Sequence, residues 1–483
     1  MSNLSELLPT GGGQNSVDFV ASGTLSSGQA VVLNTDGTVS TITETPDAAG
    51  TPTVFNSANS DYIGSTYDST NNKVVIAYRD DGNSLYGTAV VGTVSGTSIS
   101  FGTPVVFESA TSAQISATYD STNGKVVIAY QDGGNSSYGT AVVGTVSGTA
   151  ISFGTAVVFE SASSSGISAT YDSTNGKVVI AYRDAGNAGY GTAVVGTVSG
   201  TAISFGTPVV FASTSVSFIP ATYDSTNNKV VIAYRDNDNS FYGTAVVGTV
   251  SGTSISFGTP VVFNSATTNY ISATYDSTNG KVVIAYTDGG NSSYGTAVVG
   301  TVSGTSISFG TPVVFESATS SYISTTYDST NNKIVIAYQD AGNSFYGTAI
   351  VGTVSGTSIS FGTPTVFESA TTSYISATYD STNGKVVIAY RDDGNSLYGT
   401  GVVFTVGFSD NTDFIGITAE AISDTATGPV NVYGGINAVQ TGLTIASDYY
   451  VQADGSLSTT STSPAIKVGQ AISATTINLM DLT

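Results

Sequence analysis

The sequence has no cysteine, no histidine and no tryptophan among its 483 residues. The absence of cysteine excludes disulfides and thiolate chemistry. The absence of histidine removes the commonest general base and the commonest metal ligand. Basic residues are also scarce, with 12 Lys and Arg against 34 Asp and Glu, so the chain cannot build the basic patch that nucleic acid requires. We therefore expect no nucleic-acid partner, no cofactor and no metal centre.

Long hydrophobic runs are missing as well. No apolar segment approaches the length of about 20 residues that spans a bilayer. The first twenty residues, MSNLSELLPTGGGQNSVDFV, show neither the basic region nor the apolar region of a signal peptide. We expect a protein that is made in the cytoplasm and does not insert into a membrane.

The sequence is rich in glycine, serine, threonine, valine and tyrosine, and it repeats itself. Near-copies of YDSTNGKVVIAYRDAGN begin at Tyr67, Tyr119, Tyr171, Tyr223, Tyr275, Tyr327 and Tyr379, a spacing of about 52 residues, in the range of propeller and solenoid repeats. Each copy predicts four short strands separated by turns, in the second copy at about 115–120, 125–132, 138–146 and 150–159. Seven such units predict an all-β, seven-bladed β-propeller.

The ends of the repeat region predict how the ring closes. After residue 406 the pattern breaks, so the seventh copy lacks its fourth strand, whereas an orphan GTPTVFNSA precedes the first full copy. We predict that this N-terminal strand completes the last blade. The organisation would be an N-terminal arm at 1–16, a propeller at 48–406, and a small β-domain made from 17–47 and 407–483 into which the propeller is inserted.

The seven copies differ mainly in two of their loops. Three positions vary: the residue before the invariant isoleucine of the first strand, the residue near the end of the second strand, and the residue before the third strand. Alternation of strand direction places all three on one face of the ring, and the constant Asp-Ser-Thr-Asn and Ser-Gly-Thr turns on the other. Aromatic residues and arginine are enriched in recognition surfaces. The predicted ligand-binding residues are Tyr62, Arg79, Leu85, Arg183, Phe218, Arg235, Phe241, Tyr270, Tyr322, Phe345, Tyr374 and Arg391.

Catalysis finds little support in the repeats. A propeller glycosidase needs a pair of carboxylates, or a tyrosine nucleophile with its base. Asp68 and Asp80 recur in every copy, and we expect no copy to carry acidic residues of its own. They are expected to accept backbone hydrogen bonds in turns, and the recurring tyrosines to pack in the core or between blades. The runs Asp-Asp-Gly-Asn at 80–83 and 392–395 suggest calcium but are shorter than a calcium loop.

A resemblance adds to this interpretation. The segments LSELLPTGGGQNSVDFVASGTLSSGQAVVLNTDGTVS and FIGITAEAISDTATGPVNVYGG, with the C-terminal sequence that follows, resemble the flanking module of structural proteins from marine and cyanobacterial tailed phages. The ISATYDSTNGKVVIAYRD repeats resemble propeller repeats of their fibre-like or adhesin-like proteins. The resemblance implies a component of the virion, on tail or capsid, that contacts the host surface.

The sequence thus predicts a non-enzymatic virion fibre or decoration protein, made in the host cytoplasm and assembled on the phage particle. Its partners would be other virion proteins and a host-surface glycan or receptor, and a homo-oligomer is left open. Two alternatives remain: a propeller glycosidase or depolymerase acting on host polysaccharide, and a structural spacer without a ligand.

Overall fold

The computed structural model describes residues 15–460 and 466–480. The chain divides into two compact units, Asp47–Val406 and a second unit formed by Met1–Pro46 with Gly407–Thr483. We call them the propeller and the split domain. The arm predicted at 1–16 lies, except for its last two residues, outside the described residues.

The propeller is built from seven copies of one antiparallel sheet, numbered here as blades 1 to 7. The second strand of each blade contains a continuous run of valine, isoleucine, alanine and tyrosine, as suits a strand covered on both faces. The second strand of each blade runs over Lys73–Asp80, Lys125–Asp132, Lys177–Asp184, Lys229–Asp236, Lys281–Asp288, Lys333–Asp340 and Lys385–Asp392. The third strand runs over Tyr86–Ser95, Tyr138–Ser147, Tyr190–Ser199, Tyr242–Ser251, Tyr294–Ser303, Tyr346–Ser355 and Tyr398–Thr405.

The fourth strand differs from the prediction of one continuous strand followed by a loop. It opens with a short piece, at Ser98–Phe101, Ala150–Phe153, Ala202–Phe205, Ser254–Phe257, Ser306–Phe309 and Ser358–Phe361. It breaks at a Gly-Thr-Pro or Gly-Thr-Ala segment and then runs on into the first strand of the next blade. Proline has no N–H for the sheet, which favours a break where it occurs.

These long strands join successive blades. They span Thr53–Asp68, Val105–Asp120, Val157–Asp172, Val261–Asp276, Val313–Asp328 and Thr365–Asp380, and the remaining one is divided by Pro220 into Val209–Ser217 and Ala221–Asp224. The first half of each pairs with the third strand of one blade, and the second half pairs with the second strand of the next. Bulges at the crossing mark the variable position before the isoleucine.

The ring closes as the sequence predicts. The third strand of blade 7 pairs with the N-terminal end of the propeller, with Tyr398 opposite Asn59 and Gly401 opposite Thr53. The two-residue strand Ala48–Ala49 extends this pairing to Thr405 and Phe404. The prediction of a seven-bladed β-propeller closed by its N-terminal strand is confirmed.

The hydrophobic core of the propeller is divided into clusters, each of which lies between two neighbouring blades. One cluster joins Val75 and Ala77 of blade 1 to Val126, Ile128 and Tyr130 of blade 2, and the other seams repeat it. Each seam therefore depends on how closely two sheets approach. The short turns and loops between the strands then carry the differences between copies, including one-turn 3-10 helices at Asp81–Asn83, Gly133–Asn135, Ala185–Asn187 and Ala341–Asn343.

The split domain contains two five-stranded antiparallel sheets that share a core. The first is made of Ser16–Val20, Thr427–Val432, Phe414–Thr418, Ala30–Leu33 and Val39–Thr41. The second is made of Ile436–Asn437, Thr476–Leu479, Ile466–Ser473, Asp448–Val451 and Leu457–Ser458. Glu44–Thr45 pairs with Phe408–Ser409, and a 3-10 turn follows at Asp410–Asp413. In the first sheet, two neighbouring strands from the C-terminal segment lie between strands from the N-terminal segment, so neither end could form the sheet alone.

Candidate ligand-binding face of the propeller

The three variable positions of each blade lie side by side at one end of its strands. In blade 1 the residue next to Tyr62, Asp61, is paired with Arg79 across the sheet, and Arg79 is paired in turn with Gly87. Leu85 lies just before Gly87. We call these the inner, middle and outer positions, since the first strand is nearest the ring axis. All seven blades repeat this arrangement, so the predicted residues share one face, which we call the variable face.

The inner position forms an arc of aromatic rings, which we call the aromatic arc. Neighbouring rings meet at tilted angles with centroids 5.3 to 5.4 Å apart, within the range of favourable aromatic pairs. All five rings are half-buried. The arc consists of Phe218, Tyr270, Tyr322, Tyr374 and Tyr62. It is interrupted in blades 2 and 3, where Gln114 and Gly166 occupy the inner position.

The backbone at the inner position is left-handed in every copy. The φ angle is 52° at Tyr62, 47° at Tyr270 and 57° at Gly166. Glycine adopts this conformation without a steric penalty, whereas a bulky residue there is strained. Blade 3 shows that glycine fits the position, yet five other copies carry an aromatic residue. The rings therefore contribute enough, by packing on the next blade or by contact with a ligand, to offset that strain.

Two of the four arginines at the middle position are joined through one carboxylate. Asp61, which is 6% exposed, is hydrogen-bonded by Arg79 of its own blade and by Arg391 of blade 7 at 2.5 Å. Each arginine is also paired with the acid two residues later, Asp81 at 2.7 Å and Asp393 at 2.6 Å. This cluster lies where the first and last blades meet. Burial lowers the pKa of Arg391, but Asp393 and Asp61 outweigh it, and the net pKa is raised.

Asp61 corrects one expectation from the sequence. Other copies carry alanine, serine or asparagine at its place, so blade 1 does have an acidic residue of its own. The sequence itself shows this acid at the position before Tyr62, but the expectation was based only on the acids that all seven copies share. The structure uses this carboxylate to neutralise two arginines, which leaves neither as a free anion-binding group.

The third arginine, Arg235, is held by neutral partners. Its guanidinium contacts Asn237 at 2.9 Å and Asn269 of the next blade. It also lies 4.9 Å from the ring centre of Phe218 and 5.3 Å from that of Phe241, a cation–π geometry. Burial lowers the pKa of Arg235, and guanidinium nevertheless stays charged in proteins. Arg79 and Arg391 stack in the same way on Tyr62 and Tyr374, each at 5.0 Å.

Where the middle position is not arginine, it ties neighbouring blades together. Gln131 donates to the backbone oxygen of Ser164 at 2.7 Å, and Gln339 donates to Thr372 at 2.5 Å. Thr287 makes the equivalent bond. Arg183 in blade 3 is the exception: among the described residues its side chain makes no hydrogen bond, ion pair or ring contact. Most residues at the middle position therefore connect neighbouring blades, and Arg183 does not.

The outer position provides exposed apolar groups. Phe241 is 45% exposed, Phe345 49% and Leu397 36%, while Leu85 is half-buried. In blades 2, 3 and 5 the position is serine or glycine. The variable face thus has an inner aromatic arc, a middle row of largely satisfied polar groups, and an outer row of scattered apolar contacts.

Two phenols of the arc, those of Tyr322 and Tyr374, have raised pKa values. Burial raises the pKa of Tyr374 to about 12, with a further contribution from the charge of Asp61. Burial also raises the pKa of Tyr322. At neutral pH both hydroxyls are therefore protonated and able to donate a hydrogen bond.

The opposite face shows a different chemistry. Asp68, fully buried, accepts hydrogen bonds from the backbone N–H groups of Thr70 and Asn71 at 3.0 Å, and its copies do the same. The recurring tyrosine reaches the preceding blade: the Tyr119 hydroxyl donates to Thr70 at 2.5 Å. These residues serve the turns and seams, as the sequence predicts. Asp80 likewise accepts from the N–H of Gly82 at 3.0 Å.

Neither a metal cluster nor a membrane-spanning helix is found in the part of the chain that the structure describes. No group of three or more acidic side chains there is arranged to hold an ion, and Asp81 of the suggested calcium run is paired with Arg79. No described helix is long and apolar enough to cross a bilayer. The split domain contains a cavity of about 480 Å³ lined by Gln29, Gln440, Leu443, Tyr449 and their neighbours.

Comparison with known proteins supports the fold. No family model and no curated protein matches the sequence. Among solved structures, the chain is similar to the BP39L lectin of Burkholderia pseudomallei, with a TM-score of 0.55 and 9% identity over 74% of this chain and 98% of the lectin. Weaker matches are the propeller domain of Cps50 (Swd1) from Myceliophteria thermophila, with a TM-score of 0.46 and 8% identity over 74% of this chain and 100% of that one, and a leech intramolecular trans-sialidase, with a TM-score of 0.44 and 10% identity over 74% and 70%. At such low identity the lectin match identifies a β-propeller and nothing more specific.

Proposed function

We propose that the protein is a non-enzymatic adhesin whose variable face binds a glycan on a host-cell surface, and that it acts as part of a tailed-phage particle. The aromatic arc is the observation that carries this proposal. Five large rings are kept at a strained backbone position where blade 3 has glycine. Strained residues cluster at functional sites. A spacer without a ligand would have less reason to retain them.

The chemistry of the arc suits a sugar. The apolar C–H face of a pyranose packs against an aromatic ring, while the hydroxyls around its edge need hydrogen-bond partners. Tyr270 and Tyr322 each offer a ring and a hydroxyl, and no arginine of the described residues stacks on either ring. Phe345, which is 49% exposed, occupies the outer position of blade 6, the blade that carries Tyr322. The similarity in fold to a lectin is compatible with this ligand class.

The enzymatic alternative is less well supported. A tyrosine nucleophile is activated by an adjacent general base or by a lowered pKa, whereas burial raises the pKa of Tyr374 to about 12. Asp61, which precedes Tyr62 of the arc, is neutralised by two arginines. Neither group is poised as a nucleophile or as a free general base.

The proposed setting is the virion. It rests on the resemblance of the flanking segments to phage structural proteins, and it assigns the split domain to attachment on the particle. Other virion proteins would then be partners of the split domain, and the host surface would be the partner of the propeller. An antibody raised against the full chain should label purified tailed-phage particles of the phage that encodes it. Labelling of free protein alone would contradict the virion assignment.

Glycan-array binding by the full chain tests the adhesin function. The double variant Tyr270→Gln with Tyr322→Gln introduces the residue that blade 2 carries naturally at this position, Gln114. We expect it to weaken binding about 10-fold or more, since aromatic contacts contribute about 0.5–1.5 kcal/mol each. The matched control is Tyr171→Gln, which removes a half-buried tyrosine from the opposite face. Equal binding by the double variant and the parent chain would refute the proposed site.

A further inference from the structure

We propose that blade 3 holds a separate subsite for the carboxylate of an acidic sugar, with Arg183 as its anion-binding group. This inference rests on the proposed glycan-binding function and specifies the ligand class. It begins from a contrast among the four arginines of the middle position. Three are occupied by partners within the protein, whereas the Arg183 side chain has no partner among residues 15–460 and 466–480.

Each kind of partner that satisfies the other arginines is missing around Arg183. The acid or amide two residues later, such as Asp81 or Asn237, is replaced by Ala185. The side chain that the next blade supplies, Asp61 or Asn269 elsewhere, is replaced by Ser217. The Ser217 hydroxyl already accepts a hydrogen bond from Asn237 at 2.9 Å.

The ring that covers the other arginines is also absent. Gly166 occupies the inner position of blade 3, so no aromatic face lies against Arg183. The outer position is Gly189, and a Cβ added there would lie 2.6 Å from a guanidinium nitrogen of Arg183. The guanidinium therefore lies over the place that leucine or phenylalanine fills in blades 1 and 4. Two glycines open the surface around one half-buried, unpaired cation.

A second hydrogen-bond donor borders the open surface between Gly166, Gly189 and Arg183, which we call the notch. The Gln114 side-chain oxygen accepts from the N–H of Gly166 at 2.9 Å, which fixes the amide beside blade 3. Its nitrogen makes no hydrogen bond among the described residues. Ser165, next to Gly166, is paired with Arg183 across the sheet. The notch thus combines a planar cation with a neutral amide donor, at the gap in the aromatic arc.

The electrostatics favour a sparsely charged ligand. A free guanidinium matches a carboxylate through two parallel hydrogen bonds. The chain carries a formal net charge of −22, which repels densely charged polyanions. A glycan with isolated carboxylates, such as one containing uronic acid residues, gains the local contact without meeting a strong overall repulsion.

The test compares three probes on the full chain by calorimetry: a neutral oligosaccharide that carries one uronic acid residue, the methyl ester of that probe, and the same neutral oligosaccharide carrying several sulfate groups. We expect the free acid to bind at least about 10-fold more tightly than the ester, as expected for a charge-assisted hydrogen bond. The variant Arg183→Gln, which introduces the residue of blades 2 and 6, should abolish this preference. Equal affinity for acid and ester, or tighter binding of the sulfated probe, would overturn the carboxylate subsite.

A second variant separates loss of the ligand from loss of the fold. Ala185→Asp supplies the internal partner that Arg79 and Arg391 have, so it should capture Arg183 and remove the preference while the arginine remains. The control Lys177→Gln, which removes a positive charge at the other end of the strand that carries Arg183, should leave the preference intact. If Ala185→Asp binds the free acid as well as the parent does, the inference fails. Binding of neutral glycans that is sensitive to Tyr270 and Tyr322, without any preference for acid, would leave the proposed function standing and refute the subsite alone.

Discussion

Two glycines in nearly identical local sequences are expected to respond oppositely to substitution by alanine. Gly310 and Gly362 both follow Ser-Ile-Ser-Phe and precede Thr-Pro. Both donate a backbone hydrogen bond to the preceding strand, to Val299 at 2.9 Å and to Val351 at 3.0 Å. Neither has a positive φ. They differ in what faces them from the next blade.

The magnitude follows from the distance to that neighbour. A Cβ added at Gly310 would lie 1.9 Å from the backbone oxygen of Thr357, in the turn of the next blade, whereas a carbon–oxygen contact needs about 3.3 Å. The blades would have to separate by more than an ångström, and overpacking of this kind costs about 1–3 kcal/mol. At Gly362 the nearest atom is 3.8 Å away. Alanine there should stabilise by about 0.4–1 kcal/mol, because it restricts the unfolded chain.

Urea unfolding followed by tyrosine fluorescence measures both effects, since the chain has 28 tyrosines and no tryptophan. We expect the midpoint to fall for Gly310→Ala and to rise slightly for Gly362→Ala, with the slope of the free energy against urea unchanged. Gly258→Ala, which faces Thr305 at the same 1.9 Å, should repeat the loss. Equal shifts at Gly310 and Gly362 would refute the assignment of these glycines to the blade seam.

Other predictions concern the seams and the pH dependence. Asp61→Asn should lower the free energy of unfolding by about 2–3 kcal/mol, because it removes a buried charge that two arginines share; urea midpoints unaffected by the change would contradict this. Tyr223→Phe removes the hydroxyl that contacts Thr174 at 2.6 Å, so it should lower the free energy of unfolding by about 1 kcal/mol. Urea unfolding of the variant and of the parent chain measures this loss, and equal midpoints would contradict it. Burial raises the pKa of Glu368 above its ordinary 4.5, although the hydroxyl of Tyr390 opposes the shift, so the folded state binds this proton more readily than the unfolded chain. Stability from this group should therefore grow as the pH falls from neutral through the raised pKa and level off below about 4.5; Glu368→Gln should flatten that rise, and an unchanged pH profile would argue against it.

Much of the propeller could be predicted from the sequence because its signals are local and repeated. The alternation of β-branched residues, the Asn-Gly turns and the missing fourth strand after residue 406 predicted the blades and their closure. The long strands that join blades were not predicted, because the break at Gly-Thr-Pro and the bulge near Tyr62 depend on contacts with the next sheet. The variable face was located correctly as a group of positions, since strand direction alone decides which loops share a face.

The roles of individual residues on that face could not be predicted in the same way. Arg183 and Arg391 occupy equivalent positions, in the same sequence context of Tyr-Arg-Asp. One has no partner among the described residues, and the other is paired with Asp61, which is 330 residues away. The repeat predicts where an arginine lies, but the neighbouring blade determines whether its charge is available.

The sequence by itself determined the period, the strands, the turns and the face on which the copies differ, because each of these follows from hydrogen bonding and side-chain alternation within one repeat. The tertiary structure alone decided which glycines are obligatory and which arginines are neutralised. Gly310 and Gly362 show the reason. Close packing between blades acts over contacts of a few ångströms, and those contacts come from residues about 50 positions away or from the opposite end of the chain.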